Sequence, residues 1–333
     1  MWIIGFLAVL IGLLLLYSAV SFALAESRHR PRGRFVRVAG VDIHYLSMSP
    51  DKPEGAPIVL VHGASGNLGD MAESLMPELA KRHYVVAFDR PGHGWSKRPL
   101  RDGMTDPAVQ AGVLREAMHA LGIKKPVLLG HSWGGAVATA YALSFPDELS
   151  GLLVMSGATH VWKGKTAWYH RLVRTPVLGT MFLYLLMVPG GQLLMGAGIR
   201  NNFAPNIVPA DYARRIGLPL LFRPANFRAN SQDSSSLRGH LRGQSQRYGD
   251  IKVPTIIVTG NRDQTVLAKL HSYALHAEIE GSEMIKLVGV GHMPHYVRPD
   301  LVTDALSRLS LGQKPDAGIK IIEPETEQAS SLS

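Results

Sequence analysis

The chain has 333 residues, of which 46% are hydrophobic and 18% charged, and it contains no cysteine. This composition is typical of one globular core, with room for an inserted lid, and it excludes disulfides and thiolate metal sites. The formal net charge of +9 favours an acidic partner, but no basic stripe with interleaved aromatic residues supports nucleic-acid binding.

An uncharged apolar segment begins the chain and runs from Trp2 to Ala25. As a helix it would measure roughly 36 Å, enough to cross a hydrocarbon layer of about 30 Å. Arginines follow at once, at Arg28, Arg30, Arg32 and Arg34. The positive-inside rule therefore predicts a transmembrane anchor over residues 1–25, a basic linker over residues 26–33 that contacts membrane lipids, and a cytoplasmic globular domain. Export after signal cleavage near Ala25 is the alternative, although no basic residue precedes the apolar run.

Short apolar strands alternate with helices in residues 34–157 and again in residues 250–312. A hairpin is predicted around Gly40, and further strands at 57–61, 84–88, 126–130, 149–155, 254–258 and 284–288. Helices are predicted around 69–81, 106–121 and 298–309. This alternation predicts an α/β fold with a mostly parallel central sheet flanked by helices.

Residues 158–249 interrupt that alternation, and they are too many for a single crossover helix. They contain the apolar segment TPVLGTMFLYLLMVPGGQLLMGAG and then become basic. We interpret them as an inserted helical lid. A second membrane span is the alternative, but Pro189, Gly190 and Gly191 are expected to cut the apolar run short. Residues 313–333 are rich in Pro, Glu and Ser, which predicts a disordered tail.

The sequence LLGHSWGG places Ser132 between Gly130 and Gly134, after an apolar strand and before an alanine-rich helix. This is the pattern of a nucleophile elbow. A tight strand-to-helix turn needs small residues on both sides, and it projects the serine hydroxyl at a helix N-terminus that favours developing negative charge. Ser132 is therefore the candidate nucleophile.

A serine hydroxyl needs a base, and the base needs a group that orients it. Asp263 follows one apolar strand and His292 follows the last, in the chain order that this elbow requires. The carboxyl ends of parallel strands share one rim, so these residues are expected to meet Ser132. His295 is the alternative base. Asp250 precedes its strand and is expected at the wrong end of the sheet.

An oxyanion hole requires backbone N–H donors, and those of Ala64 and Trp133 are the candidates. His62, His93 and His131 are expected to be structural. An apolar substrate pocket is expected in the lid, with Met181, Phe182, Leu185 and Leu186 as its candidate lining. No cofactor or metal is implied, because no cluster has ligand spacing and GHSWGG is not a dinucleotide-binding loop.

The segments VLVHG, FDRPGHGWS, LLGHSWGGAVA, VTGNRD and VGHMPH occur in this order over roughly residues 34–312. They resemble the serine hydrolases of the α/β-hydrolase superfamily, in which a lid lies between the strand after the nucleophile helix and the strand before the acid. With the N-terminal segment, the chain is similar to membrane-anchored monoacylglycerol lipases and carboxylesterases. Val266 departs from these relatives, which often have Pro there.

The resemblance and the candidate residues together imply hydrolysis of carboxylic esters through an acyl-enzyme, with lipid or other apolar esters such as monoacylglycerols as substrates. Three alternatives stay open. A carbon–carbon bond hydrolase uses a similar triad, a haloperoxidase-like enzyme or an acyltransferase sends the acyl group to another acceptor, and a non-catalytic ligand-binding protein can share the fold.

Overall fold

Nine strands form one sheet in the computed structural model, which describes residues 1–164 and 167–324. Their spatial order is β1-β2-β4-β3-β5-β6-β7-β8-β9. Strands β1 and β2 form the predicted hairpin, and β2 pairs antiparallel with β4, whereas every pairing from β4 through β9 is parallel. The strands are β1 Arg34–Val38, β2 Val41–Met48, β3 Ile58–Val61, β4 Val85–Phe88, β5 Val127–His131, β6 Gly151–Met155, β7 Thr255–Gly260, β8 Glu283–Leu287 and β9 Gly318–Ile322.

Helices cover both faces of this sheet, as the alternation of elements predicts. Helices α4 and α5 pack on one face, and α2, α3 and α13 pack on the other. The helices are α1 Trp2–Arg28, α2 Leu68–Ser74, α3 Met76–Leu79, α4 Pro107–Ala120, α5 Trp133–Ser144, α6 Trp168–Val173, α7 Pro176–Phe182, α8 Val188–Phe203, α9 Tyr212–Arg215, α10 Pro224–Gln244, α11 Ser272–Glu278, α12 Pro294–Val297 and α13 Pro299–Ser310. The mostly parallel α/β architecture predicted from the sequence is confirmed.

The segment between β6 and β7 is helical and contains α6 to α10. The apolar run was expected to break at Pro189, Gly190 and Gly191, and this expectation is wrong. Helix α7, a π-helical turn at Leu183–Met187 and α8 join into one 28-residue helix, Pro176–Phe203, which we call the lid helix. Pro189 has no backbone N–H group to donate to the previous turn. The hydrogen-bond pattern of the helix changes in the π-helical turn that directly precedes α8.

The tail also differs from expectation. Residues 318–322 form β9, which pairs in parallel with β8 at the edge of the sheet. Ile322 packs against the core on one face, and Lys320 lies 3.6 Å from the buried carboxylate of Glu283. An open strand edge offers unpaired backbone groups, and these give a short isoleucine-rich segment its hydrogen bonds. The prediction of disorder is therefore wrong for this stretch, and residues 325–333 lie outside the described residues.

Two helices among the described residues are long and apolar enough to cross a membrane, α1 and the lid helix. Helix α1 packs across the lid helix through its second half. The Tyr17 hydroxyl donates to Gln192 Oε1 at 2.6 Å, and the Ser18 hydroxyl donates to the carbonyl of Tyr184 at 2.5 Å. Near the end of α1, Glu26 pairs with Arg223 at 3.1 Å.

Candidate active site

Ser132 lies at the turn between β5 and α5 with φ 52° and ψ −118°. A positive φ strains any residue that carries a side chain, and such strain is characteristic of functional turns. The flanking glycines explain how the turn forms. A Cβ on Gly130 would lie 2.2 Å from the carbonyl oxygen of Gly134, and one on Gly134 would lie 2.5 Å from that of Val61. Both positions therefore exclude a side chain, as the elbow pattern predicts.

Asp263 and His292 meet beyond the carboxyl ends of β7 and β8. The Nδ1–H of His292 donates to Asp263 Oδ2 at 2.7 Å, and both side chains are buried. The other oxygen of Asp263 accepts the backbone N–H groups of Thr265 and Val266, each at 2.8 Å. Amide donors stabilise a buried carboxylate in its charged form. The relatives named above often have Pro at the position of Val266. A proline there would lack the N–H group that Val266 donates to Asp263.

Ser132 and His292 line the same cavity, which has a volume of about 680 Å³ and also includes Gly63 and Ala64 in its wall. The loop after β3 passes close to the serine, because a Cβ on Gly63 would lie 2.9 Å from Ser132 Cβ. Within the described residues, the N–H groups of Ala64 and Trp133 have no hydrogen-bond acceptor. Two free donors beside a projecting hydroxyl form the arrangement that an oxyanion needs.

The two alternatives for base and acid lie elsewhere. His295 Nε2 donates to Asp70 at 3.2 Å and not to Asp263. Asp250 is exposed, precedes β7 and lies 3.5 Å from Arg247 on the surface.

A buried polar cluster behind His292 was missed by sequence reasoning. Asp70 accepts hydrogen bonds from His295 and from the Tyr212 hydroxyl, the latter at 2.9 Å. His131 Nδ1 lies 4.0 Å from Asp70, while the Nε2–H of His131 donates to the carbonyl oxygen of His292 at 3.0 Å. The cluster therefore connects Asp70 to the backbone of the candidate base. The only sequence signal was the pair of histidines in GHS and MPH, because Asp70 lies in an ordinary helical pattern.

The charge of this cluster follows from its neighbours. Burial alone would raise the pKa of Asp70, but His295, His131 and the Tyr212 hydroxyl lower it to about 2. Burial, followed by the nearby histidines, holds the pKa of His131 well below its usual value. Asp70, His131 and His295 are also the described residues whose ligand atoms, all within 4.8 Å of one another, have the spacing to hold a metal ion. Asp70 is satisfied by two hydrogen bonds, whereas the buried Nδ1 atoms of His131 and His295 have no hydrogen-bond partner among the described residues.

The lid helix forms much of the cavity wall. Phe182 and Leu186 line the cavity as expected, but Met181 and Leu185 do not. Phe182 and Leu186 are four residues apart and share one side of the lid helix, whereas Met181 and Leu185, each one residue earlier, lie outside the cavity wall. Sequence reasoning missed the other apolar lining residues, which include Trp168, Tyr169, Met187, Leu194, Met195, Ile199, Phe203, Leu218, Leu221, Phe222, Phe227 and Met293. They come from several lid elements, and no single periodic pattern connects them.

The remaining candidate side chains have structural roles. Trp133 packs beneath the guanidinium of Arg90, whose carbon lies 4.1 Å from the ring centre. His62 Nε2 accepts the backbone N–H of Arg90 at 3.0 Å, and burial, with Arg90 and His93 nearby, lowers the pKa of His62 to about 3. Neutral His62 is thus a fixed acceptor, as expected for a residue that shapes the loop.

One buried ion pair connects the lid to the core. Arg90 donates to Asp233 of α10 at 2.9 Å, and Arg98 donates to the other oxygen of Asp233 at 2.8 Å. Gln110 of α4 adds a third hydrogen bond to Asp233 at 3.0 Å. The carboxylate therefore holds α10 against the loop that follows β4.

The comparisons with known proteins agree on one fold. The α/β hydrolase fold model matches residues 56–177, which include the elbow and the loop after β3. An uncharacterized protein of Mycobacterium tuberculosis is 28% identical over 261 residues, 76% of this chain and 75% of that protein. The human (lyso)-N-acylphosphatidylethanolamine lipase is 34% identical over 114 residues, 33% of this chain and 32% of the lipase.

Solved structures extend the likeness over most of the chain. An N-acyl homoserine lactone degrading enzyme, Est816, aligns with a TM-score of 0.61 and 25% identity over 82% of this chain and 99% of its own. A bacterial membrane phospholipase A aligns with a TM-score of 0.58 and 21% identity over 92% of this chain and 96% of its own. The architecture described above is thus that of a known hydrolase fold.

Proposed function

We propose that this chain, which has the α/β-hydrolase fold, is a membrane-anchored serine hydrolase that cleaves carboxylic esters with apolar acyl groups, such as monoacylglycerols. The observation that carries the proposal is the strained elbow of Ser132, which shares one apolar cavity with His292, itself hydrogen-bonded to Asp263 at 2.7 Å. A positioned serine, a buried imidazole and an orienting carboxylate are the parts of nucleophilic acyl transfer.

In the proposed reaction, Ser132 Oγ attacks the ester carbonyl while His292 Nε2 takes the hydroxyl proton. The N–H groups of Ala64 and Trp133 stabilise the oxyanion of the tetrahedral intermediate. His292 then returns the proton to the leaving alcohol, and the acyl-enzyme forms. Water, activated by the same imidazole, releases the acid. Throughout, Asp263 fixes the imidazole tautomer and stabilises the imidazolium.

An apolar acyl group fits the cavity. Its volume of about 680 Å³ lies within the range of small-molecule sites, roughly 300–1,000 Å³. Its wall is largely aromatic and aliphatic, with Phe182 and Leu186 from the lid helix. The partial similarity to a lipase that acts on acylated lipids, and the wider one to an acyl-lactone-degrading enzyme, agree with this substrate class.

Retention of α1 as a membrane anchor is part of the proposal. Its apolar side chains are largely exposed, and Ser18 and Ala25 are its buried residues. Its second half contacts the lid helix through Tyr17 and Ser18, and these contacts would be lost on cleavage near Ala25. The arginines that follow α1 suit a cytoplasmic hydrolase domain and the headgroups of acidic lipids.

The test is fluorophosphonate labelling of the purified chain, with wild type compared against Ser132→Ala and the matched control Ser144→Ala. Ser144 is exposed at the end of α5. We expect wild type and the control to be labelled and Ser132→Ala to be unlabelled. Release of fatty acid from monoacylglycerols of increasing acyl length then identifies the substrate. Labelling combined with cleavage of only short water-soluble esters would refute the lipid assignment, and absence of labelling in folded wild type would refute the serine mechanism.

A further inference from the structure

We propose that the lid helix lies in the bilayer surface beside α1, and that the catalytic cavity opens into the acyl-chain region through the rim formed by Leu186 and Leu194. The lid helix is then a second membrane-contacting element, and substrate enters from the lipid phase. This inference rests on the proposed function for the identity of the substrate, but the position of the lid helix is a separate physical claim.

The depth of the lid helix follows from where it meets α1. The contacts involve Tyr17, Ser18 and Phe22 of α1, the last with its ring 5.8 Å from that of Tyr184. The first charged residue of α1 is Glu26 and the first cation is Arg28. At about 1.5 Å per residue, Arg28 lies roughly 9 Å beyond Phe22 and roughly 16 Å beyond Tyr17 along the helix. The lid helix therefore crosses α1 on the apolar side of the charge boundary.

The lid helix presents apolar side chains away from the protein. Leu193 is 85% exposed and Val177 is 70% exposed, and Leu178 is also mostly exposed. Clustered exposure of large aliphatic side chains beside an apolar anchor is characteristic of a membrane-contacting surface. Burying these side chains in lipid removes their contact with water, which stabilises this placement.

The mouth of the cavity opens on the same surface. Leu186 and Leu194 both line the cavity and are still 58% and 69% exposed. A side chain that belongs both to the inner wall and to the outer surface marks the rim of an opening. An acyl chain that passes this rim goes from the lipid phase into the apolar cavity that holds Ser132.

The lid helix does not cross the membrane, because both of its ends are held by the hydrolase domain. At its start, the Thr180 hydroxyl accepts a hydrogen bond from Arg228 of α10 at 2.8 Å, and α10 is itself held on the core through Asp233. At its end, Phe203 is buried beside Tyr212 and Tyr296. A spanning helix of 28 residues would place these ends roughly 42 Å apart on opposite sides of the bilayer. An in-plane helix satisfies both attachments.

Basic residues surround the base of α1 at the level expected for lipid headgroups. A second cavity of about 890 Å³ is lined by Arg28, Arg30, Arg32, Arg214 and Arg215 and also by Glu73, which pairs with two of them. Glu73 pairs with Arg32 at 2.5 Å and with Arg215 at 3.1 Å. Partial burial, followed by the nearby Arg28, Arg214 and Arg32, lowers the pKa of His29. This charge complements an anionic bilayer surface.

The chain has no cysteine, so single-cysteine variants allow a direct depth measurement. Leu193→Cys, Leu10→Cys and Lys124→Cys are labelled with an environment-sensitive fluorophore in the full chain, reconstituted into phosphatidylcholine–phosphatidylglycerol vesicles that carry acyl-chain spin quenchers. Leu10 lies in α1, and Lys124 is exposed before β5, at the end of the sheet away from the site. We expect the probes at positions 193 and 10 both to be quenched, which places the lid helix and α1 in the bilayer, and the probe at position 124 to be unaffected.

Quenching at position 193 no greater than at position 124 would overturn the proposal. A second copy of the chain covering the lid helix would also overturn the proposal. It would be recognised by quenching that is lost when the vesicles are diluted in lipid while energy transfer between labelled chains persists. Absence of quenching at position 10 would overturn it as well, since α1 would not lie in the bilayer. None of these results depends on catalysis, so failure of the proposed function is recognised separately, by absent fluorophosphonate labelling.

A functional measurement complements the depth measurement. The double variant Leu178→Gln, Leu193→Gln changes two exposed side chains outside the cavity wall and is compared with Lys124→Gln. We expect hydrolysis of monoacylglycerol in vesicles to fall roughly fivefold or more, while the rate of labelling by a water-soluble fluorophosphonate is unchanged. Equal hydrolysis by the double variant and the control would count against entry from the lipid phase.

Discussion

The buried ion pair between Arg90 and Asp233 gives the sharpest test of how the lid is held on the core. Asp233 is fully buried, and Arg90 is almost fully buried, while Arg98 pairs with the same carboxylate. Burial lowers the pKa of Arg90 to about 10, so the guanidinium stays charged at neutral pH. Asp233→Ala would leave that charge without its partner in a site from which water is excluded.

The expected cost is large. Breaking one side of a buried ion pair costs about 3–5 kcal/mol, against a total stability of roughly 5–15 kcal/mol for a typical domain. Asp233→Asn keeps the shape and one acceptor, and we expect it to cost about 2 kcal/mol. The matched control is Glu116→Ala, which removes an exposed ion pair with Arg101 and is expected to cost less than about 1 kcal/mol.

The assay is urea unfolding of the full chain in detergent micelles, followed by far-ultraviolet circular dichroism. We expect the unfolding midpoint to decrease in the order Glu116→Ala, Asp233→Asn, Asp233→Ala. If Asp233→Ala is as stable as the Glu116 control, the pair does not hold the lid and the reasoning from burial is refuted.

Four further predictions test the site and its surroundings. Gly134→Ala is expected to lose at least about 2 kcal/mol of stability, because its Cβ would lie 2.5 Å from a strand carbonyl oxygen. The control Gly239→Ala, in open space on α10, is expected to gain about 0.5–1 kcal/mol. Equal midpoints of the two variants in chemical unfolding would contradict this. Asp263→Asn is expected to lower kcat about 10⁴-fold by leaving the imidazole of His292 in the wrong tautomer. A loss below tenfold in ester hydrolysis would count against Asp263 as the orienting acid. Asp70→Asn is expected to lower kcat roughly tenfold at unchanged KM, since it loosens the support of the base, and unaltered kcat would show the cluster to be structural only. The pKa of His62 is lowered to about 3 in the folded protein, so the neutral ring contributes fully to stability above about pH 6.5. Below that pH its contribution falls by about 1.4 kcal/mol per pH unit. Thermal unfolding from about pH 7.5 to about pH 5 should therefore show a smaller loss of stability in His62→Gln than in wild type, and parallel curves would refute the assignment.

Local patterns in the sequence predicted the sheet and the elbow because both are local in origin. Each strand is a short apolar run, and the turn at Ser132 needs glycine at the two positions where a Cβ would clash with backbone. The candidate acid and base were also predictable. Parallel strands bring their carboxyl ends to one rim, and so Asp263 and His292, which are distant in the chain from Ser132, lie around the same site.

Long-range contacts decided what the sequence did not predict. Strand β9 forms because β8 offers an open edge, which no local feature of the acidic tail reveals. The cavity wall combines residues from several lid elements, and the packing of the lid helix turns Phe182 and Leu186 into it while Met181 and Leu185 stay outside. Asp70 became part of the site only when the fold placed it beside His131 and His295.

The sequence by itself determined the order of elements and the chemistry of the candidate residues, because hydrophobic periodicity and backbone sterics act over a few residues. Only the tertiary structure decided how α1 lies against the lid helix and where the cavity opens. Tyr17 and Gln192 are 175 residues apart in the chain, and their contact depends on the packing of the whole domain between them. The proposed relation of the candidate active site to a membrane therefore depends on the fold as a whole.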